Sequence, residues 1–265
     1  MWNPKAEAVR LWSADPCGGA VGVEAEGTPA FFAAVDRNRY GEYAPWMPDV
    51  MEFAKSHALR VLEVGCGMGT DLAQFARGGG TVFGLDLVPR HLRIAQARLL
   101  HEGVSPRLVQ GDAEQLPLKD NSVDLVYSFG VLHHTPAIAL AIDEIRRVLR
   151  PGGRLVLGLY HRDSLFYWGY TILLRGVFRG GLWRSGYHKL VADIERHDHS
   201  DAVPLVRVYS HGQVRSLLRG FRSVSVVTRH LDAELLPGVI RRWLRGAVAR
   251  YGQRLGWYVI AKATK

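Results

Sequence analysis

V-L-E-V-G-C-G-M-G-T-D-L, residues 61–72, is the stretch on which the reading of this chain turns. An apolar run ends at residue 64, glycines follow at 65, 67 and 69, and a helical pattern begins at 70. Glycine tolerates positive φ and lets a ligand approach the backbone closely. A strand that feeds such a loop, with a helix N-terminus behind it, forms a nucleotide-binding crevice in an open α/β sheet. The next apolar run, 81–85, ends in Asp86, 21 positions after Gly65. An acid at that place can accept hydrogen bonds from the two hydroxyls of a ribose.

The dinucleotide-binding fingerprint is G-x-G-x-x-G. The spacing here is G-x-G-x-G, with Glu63 two residues ahead of the first glycine. E-V-G-C-G-M-G resembles, position for position, the acid-x-G-x-G-x-G first motif of the class I S-adenosylmethionine (SAM)-dependent methyltransferases, in particular their small-molecule type 11 group. Two later segments extend the resemblance. V-Q-G-D-A-E-Q-L-P-L, 109–118, is similar to the motif in which an acid at a strand end holds adenine. L-R-P-G-G-R-L-V-L, 149–157, is a third match and a turn signal rather than chemistry.

The resemblance implies a doubly wound α/β fold: a mostly parallel seven-stranded, Rossmann-like sheet with an antiparallel last strand. It implies SAM as cofactor. It places Glu63, Gly65, Cys66, Gly67, Gly69 and Asp71 around the glycine loop, and Asp86 with Leu87 at the ribose. Asp112, Ala113 and Glu114 fall at the adenine, where a carboxylate beside a backbone N–H matches the donor and acceptors of the base edge. In V-D-L-V-Y-S-F-G-V-L-H-H-T-P, 123–136, the family places the residues that flank the transferred methyl. Ser128 and Phe129 then lie along the methionine, with His133 and His134 just beyond.

Around this core the pattern alternates as α/β units should. Strands are expected at 60–64, 81–85, 107–110, 123–128 and 154–160, and helices at 70–77, 89–102 and 136–149. Ahead of them, 1–30 reads as a loop anchored by Trp12, lying as a strap or a lid, and Pro48 opens a helix to about Ser56. Behind them come a helix over 210–218 capped by Ser210, a strand over 222–229 and a closing strand over 257–263. The domain plan is an N-terminal lid and helical segment (1–58), a SAM-binding core (59–160), a helical cap insertion (161–209) and a return to the core sheet (210–265).

Methyl transfer from a sulfonium needs alignment of a nucleophile and, for some acceptors, a base. The candidates are His133, a residue type that exchanges protons near neutral pH, together with Tyr40 ahead of the core and His161 at the start of the insertion. A structural role for each histidine stands beside the catalytic one. The acceptor is read as a small molecule, at O, N, S or C. The tetrapeptide N/D-P-P-Y/F of enzymes that methylate amino groups of nucleic acids and glutamine is absent, and the fourth motif is S-F-G-V instead. No cluster with metal-ligand spacing stands out, so no metal is expected.

Charge is unevenly placed. Residues 1–140 carry 12 Lys/Arg against 16 Asp/Glu, and 141–265 carry 22 against 9, so the halves stand at −4 and +13. A basic half can face nucleic acid, an anionic membrane or an anionic substrate, or form solvated helices. Segment 164–183, F-Y-W-G-Y-T-I-L-L-R-G-V-F within it, is aromatic and basic and too short to span a bilayer. It reads first as a cap over the site and second as a helix lying on a membrane surface. A second basic stretch fills 234–250. Two cysteines, Cys17 and Cys66, without a C-x-x-C pair, and an N-terminus without an apolar leader fit a reducing cytoplasm.

Overall fold

Alternation along the strands sorts side chains into two cores. From β1 (Arg60–Val64), Leu62 and Val64 enter one core and Val61 the other. From β4 (Val123–Phe129), Val126 joins the first, and Leu125 and Tyr127 the second. Successive side chains of a strand point to opposite faces, so a sheet covered on both sides needs this pattern. The computed structural model of the chain describes residues 2–19, 21, 24–195, 201–231 and 253–265.

The remaining strands are β2 (Thr81–Asp86), β3 (Leu108–Gln110), β5 (Leu149–Tyr160), β6 (Ser223–Arg229) and β7 (Tyr258–Thr264). The seven form one sheet in the order β3-β2-β1-β4-β5-β7-β6. The first five run parallel, and β7 is antiparallel to both β5 and β6. The strand order reverses between β1 and β4. Ligands of open α/β sheets bind in the crevice outside the strand ends at such a reversal.

Helices α4 (Thr70–Arg77) and α5 (Pro89–His101) cover the face built on Val61 and Leu125, through Leu72, Phe75 and Leu99. The opposite face is covered by α6 (Ile138–Val148) and α8 (His211–Leu217), through Ile142, Ile145 and Val214. Ser210 caps α8 in a reciprocal box with Gln213, which satisfies two orphan N–H groups at that end.

Three segments depart from the sequence reading. The expected loop at 1–30 contains α1 (Pro4–Ala14), capped by the Asn3 side chain, and α2 (Pro29–Asp36), capped by Thr28. A cap residue followed by Pro at the first helical position marks both starts. The expected helix over 48–56 is only α3 (Met47–Met51), followed by a 3₁₀ turn at Phe53–Lys55. Glu52 breaks it with φ 61, held by Lys262 at 2.9 Å and Arg154 at 3.1 Å. Strand β5 begins at Leu149 rather than 154, because a register shift against β4 takes up the Pro-Gly-Gly turn, with Gly152 at φ 76.

The insertion is helical, as expected. A π-helical stretch, Phe166–Phe178, is followed by α7 (Gly181–Ala192). A second π-helical stretch, Arg37–Tyr43, continues α2 toward the site. The basic stretch at 234–250 lies outside the described residues. No described helix is long and apolar enough to cross a membrane.

Candidate active site

At the strand-order reversal lies a cavity of about 510 Å³, bounded by the ends of β1, β2 and β4, by α1, by the Arg37–Tyr43 turn and by the insertion. Its size falls within the ~300–1,000 Å³ typical of sites for small ligands.

The glycine loop forms one wall. Gly65, Gly67 and Gly69 all have positive φ, at 77°, 51° and 75°. The first two serve different ends. A Cβ on Gly65 would meet Val131 at 2.3 Å, so this glycine permits close packing. A Cβ on Gly67 meets nothing within 4 Å, so it would project into open space beside the cavity that Gly67 lines. The Gly67 N–H donates to Asp86 Oδ2 at 2.8 Å, and the Val88 N–H to Asp86 Oδ1 at 2.9 Å. His91 Nδ1 lies 3.2 Å from the same carboxylate, and its Nε2 lies 3.1 Å from the Trp12 carbonyl. Asp86 is thus aimed by its neighbours, and a carboxylate with about four acceptor sites keeps capacity for a ligand hydroxyl.

Two buried carboxylates stand at the end of β1 and the start of α4, with opposite fates. Asp71 accepts Arg39 Nε at 2.8 Å and Nη2 at 2.6 Å, and the hydroxyls of Tyr40 at 2.6 Å and Tyr127 at 2.7 Å. Burial works against its charge, but Arg39 and the two phenols hold the carboxyl below its usual range. Glu63 is 4% exposed, and its Oε2 has no partner among the described residues. Burial, then the charge of Asp71, push it well above the usual range. An orphaned carboxylate oxygen on the cavity wall fits a ligand ammonium, the group a SAM methionine end presents.

Asp112 and Ala113 also line the cavity. Asp112 Oδ1 accepts the Glu114 N–H at 2.9 Å, and Lys5 of α1 reaches Oδ2 at 2.6 Å. Glu114 turns away to Lys5, Thr135 and the Ala137 N–H.

The far end of the cavity is aromatic, with Phe129, Tyr160, Phe166, Trp257 and Tyr258 on its walls. Its polar groups include His134 and Glu195, beside Tyr160. His134 Nδ1 lies 2.7 Å from the Leu205 carbonyl and so donates to it, and Nε2 lies 3.9 Å from Glu195 Oε1. Burial first, and Glu195 next, push the Tyr160 hydroxyl well above its ordinary value. His133, His134 and Glu195 bring ligand-capable atoms within 4.8 Å of one another, a grouping the sequence spacing does not announce.

Of the residues singled out by sequence, Glu63, Gly65, Cys66, Gly67, Asp71, Asp86, Leu87, Asp112, Ala113 and Phe129 line this cavity. The others stand behind it. Gly69 packs against Ala95, Glu114 is turned outward, and Ser128 is fully buried with its Oγ on the Val64 carbonyl at 2.9 Å.

All three expected proton carriers also stand off the wall. His133 is fully buried beneath Tyr160, with ring centroids 3.8 Å apart, and burial holds its pKa far below the ordinary value. Its neighbour His134 faces the cavity instead. The Tyr40 hydroxyl is spent on Asp71, and burial drives its pKa far up. His161 Nδ1 bonds the Gly256 carbonyl at 3.0 Å, its ring stacks on His211, and burial lowers its pKa. The residues that sequence reasoning missed, Lys5, Glu195, Trp257 and Tyr258, arrive through long-range contacts. His134, which the sequence places just beyond the methyl-flanking motif, does line the cavity.

Residues 62–157 match the family described as methyltransferase domain. Over 96 residues the chain is 41% identical to the probable phthiotriol/phenolphthiotriol dimycocerosates methyltransferase 2 of Mycobacterium ulcerans, covering 36% of each chain. Over 123 residues it is 38% identical to the demethylmenaquinone methyltransferase of Lactiplantibacillus plantarum, covering 44% of this chain and 52% of that one. The match thus spans about a third to a half of these relatives' length. In fold, the chain is similar to a SAM-dependent methyltransferase from Thermotoga maritima described as a possible histamine N-methyltransferase. That likeness has a TM-score of 0.53 at 21% identity, over 87% of this chain and 98% of that one.

Proposed function

We infer that the cavity binds SAM and passes its methyl group to an O, N, S or C nucleophile of a small-molecule acceptor, as a class I SAM-dependent methyltransferase does; the domain match over residues 62–157 and the shared fold support this reading. The observation that carries this is the continuity of the cavity. Glu63, Gly67 and Asp86 line the same cavity as the aromatic wall with His134 and Glu195. The names of the two relatives, a phthiotriol dimycocerosate and a demethylmenaquinone enzyme, support a small-molecule class.

Bound SAM supplies a methyl carbon already activated by its sulfonium. The chain's own groups then bind and align. Glu63 would hold the methionine ammonium. The Asp71 pair fixes the Arg39 guanidinium at the same end, and Nη1 is unused there among the described residues. Asp86 would take the ribose hydroxyls, and Asp112 with the Ala113 amide the adenine edge. Phe129, Tyr160, Trp257 and Tyr258 exclude water from the transfer path and give an acceptor's apolar body a surface.

Where the acceptor must lose a proton, His134 is the cavity-lining imidazole that would take it, with Glu195 beside it to stabilise the imidazolium. A positioned base contributes typically ~10²–10⁴-fold. The test uses methyl-tritiated SAM with the purified protein and fractionated cell extract. Label in the small-molecule fraction supports the reading. Label confined to RNA or protein overturns it.

A further inference from the structure

Among the described residues, eight of the fourteen exposed large apolar side chains lie in the cap between 165 and 187, so their apolar exposure is local, not scattered. Phe178 is 74% exposed, Trp183 72%, Trp168 55% and Tyr187 52%. Phe166–Phe178 already buries Tyr167, Thr171 and Gly176 against the fold, yet its outer side presents Trp168, Leu173, Val177 and Phe178. A helix that is apolar all round is normally covered on all sides. Contiguous apolar patches of this kind mark binding surfaces.

The charge on this surface has one sign. Residues 164–192 contain Arg175, Arg179, Arg184 and Lys189 and no acid. Arg175 is paired with Asp193 at 3.2 Å. Arg179, Arg184 and Lys189 are exposed and make no ion pair among the described residues. Trp2 extends the aromatic edge, lying T-shaped on His188 with centroids 4.7 Å apart.

We propose that the outer face of the cap helices is a docking surface for an anionic lipid bilayer, with the Phe178 and Trp183 side chains entering the headgroup boundary and Arg179, Arg184 and Lys189 against the lipid phosphates. Trp and Phe on one side with Lys and Arg beside them is the composition of a helix that lies in the interface plane. Tryptophan and tyrosine settle at headgroup depth because the ring is apolar and its N–H or O–H stays wet. A second copy of the chain fits less well. A two-fold contact pairs the same patch with itself, and here that would set three unpaired cations against three. Docking does not depend on the methyl-transfer reading. What rests on that reading is its consequence: Phe166 and Ile194, at the two ends of the cap, line the cavity, so a docked cap would set the acceptor end beside the lipid.

The experiment is vesicle flotation with the full chain. One set of vesicles is phosphatidylcholine alone, and the other contains about 40% phosphatidylglycerol, which gives the surface a negative potential. Each cation near an anionic surface is worth roughly fivefold in binding. Wild type should float with the anionic set and lose most of its binding at about 0.5 M salt, where screening is nearly complete. Phe178→Asp/Trp183→Asp should lose binding at least tenfold, and Arg179→Glu/Arg184→Glu at least about 25-fold. Circular dichroism of the same variants controls for folding, and an unchanged spectrum and melting curve with lost flotation supports the proposal. Absence of flotation by folded wild type overturns it, whether or not that protein binds SAM. So does a self-association in sedimentation that Phe178→Asp/Trp183→Asp abolishes without any flotation.

Discussion

Replacing Gly65 and Gly67 by alanine, one at a time, should separate packing from binding within two residues of the same loop. At Gly65 the new Cβ would stand 2.3 and 2.5 Å from the two methyl carbons of Val131, with φ at +77°. A left-handed residue with a Cβ costs roughly 1–2 kcal/mol, and overpacking a filled site roughly 1–3, so Gly65→Ala should lose about 2–5 kcal/mol. For a domain of this size that lowers Tm by roughly 4–20 °C. At Gly67 the backbone cost of about 1–2 kcal/mol remains, but no atom lies within 4 Å. Gly67→Ala should therefore melt only a few degrees low and lose SAM affinity, because the Cβ occupies the ligand's side of the loop.

Thermal unfolding by circular dichroism and titration calorimetry read the two effects. Adding Val131→Ala to Gly65→Ala removes the two closest carbons and leaves Cβ at 2.8 Å, so stability should return in part. If Gly65→Ala is as stable as wild type, or if Gly67→Ala binds SAM normally, the assignment of the loop is wrong.

Asp86→Ala should weaken SAM binding by about 1.5–3 kcal/mol, the range for hydrogen bonds to a charged group, which calorimetry reads as roughly a 10- to 140-fold rise in Kd. Glu63→Gln should stabilise the ligand-free protein and weaken SAM binding. The folded carboxyl is raised, so its stabilising protonated form is fully present below the unfolded value of 4.5, and its contribution is lost as pH rises from there through the folded pKa. A Tm gain for Glu63→Gln that is absent below pH 4.5 and grows above it checks the sign. Arg39→Ala should cost about 3–5 kcal/mol, because Asp71, 3% exposed, is left charged without its cation; denaturant midpoints measure it. His133→Leu should keep both fold and SAM affinity, since neither ring nitrogen has a partner among the described residues to lose.

Much of this was legible in the sequence because it is local. β1, the glycine loop and α4 form one continuous unit, and the helix expected over 70–77 is the one observed. Glu63, Gly67, Asp86 and Asp112 fall at strand ends, so naming the strands places them on one rim. Other features were set by partners far along the chain. His133 and His134 are adjacent and chemically alike; which one faces the cavity is decided by the Leu205 carbonyl that turns His134 and by Tyr160 that covers His133. Tyr40 lies just ahead of the core, where the sequence suggests a catalytic residue, but its hydroxyl is spent on Asp71. Glu195 belongs to the cap insertion, just past its helices, and nothing near it in sequence announces a site. α1 and α2 were legible in principle, through Asn3-Pro4 and Thr28-Pro29, and were lost to the glycines and prolines between them.

The central claim is that this cavity is a SAM site, and its most direct test is titration calorimetry of the purified chain with SAM, S-adenosylhomocysteine and NADH. The account predicts one-to-one binding of both adenosyl ligands, weakened by Asp86→Ala and by Gly67→Ala, and no binding of NADH. A folded protein that binds neither adenosyl ligand, or that binds NADH in their place, contradicts it.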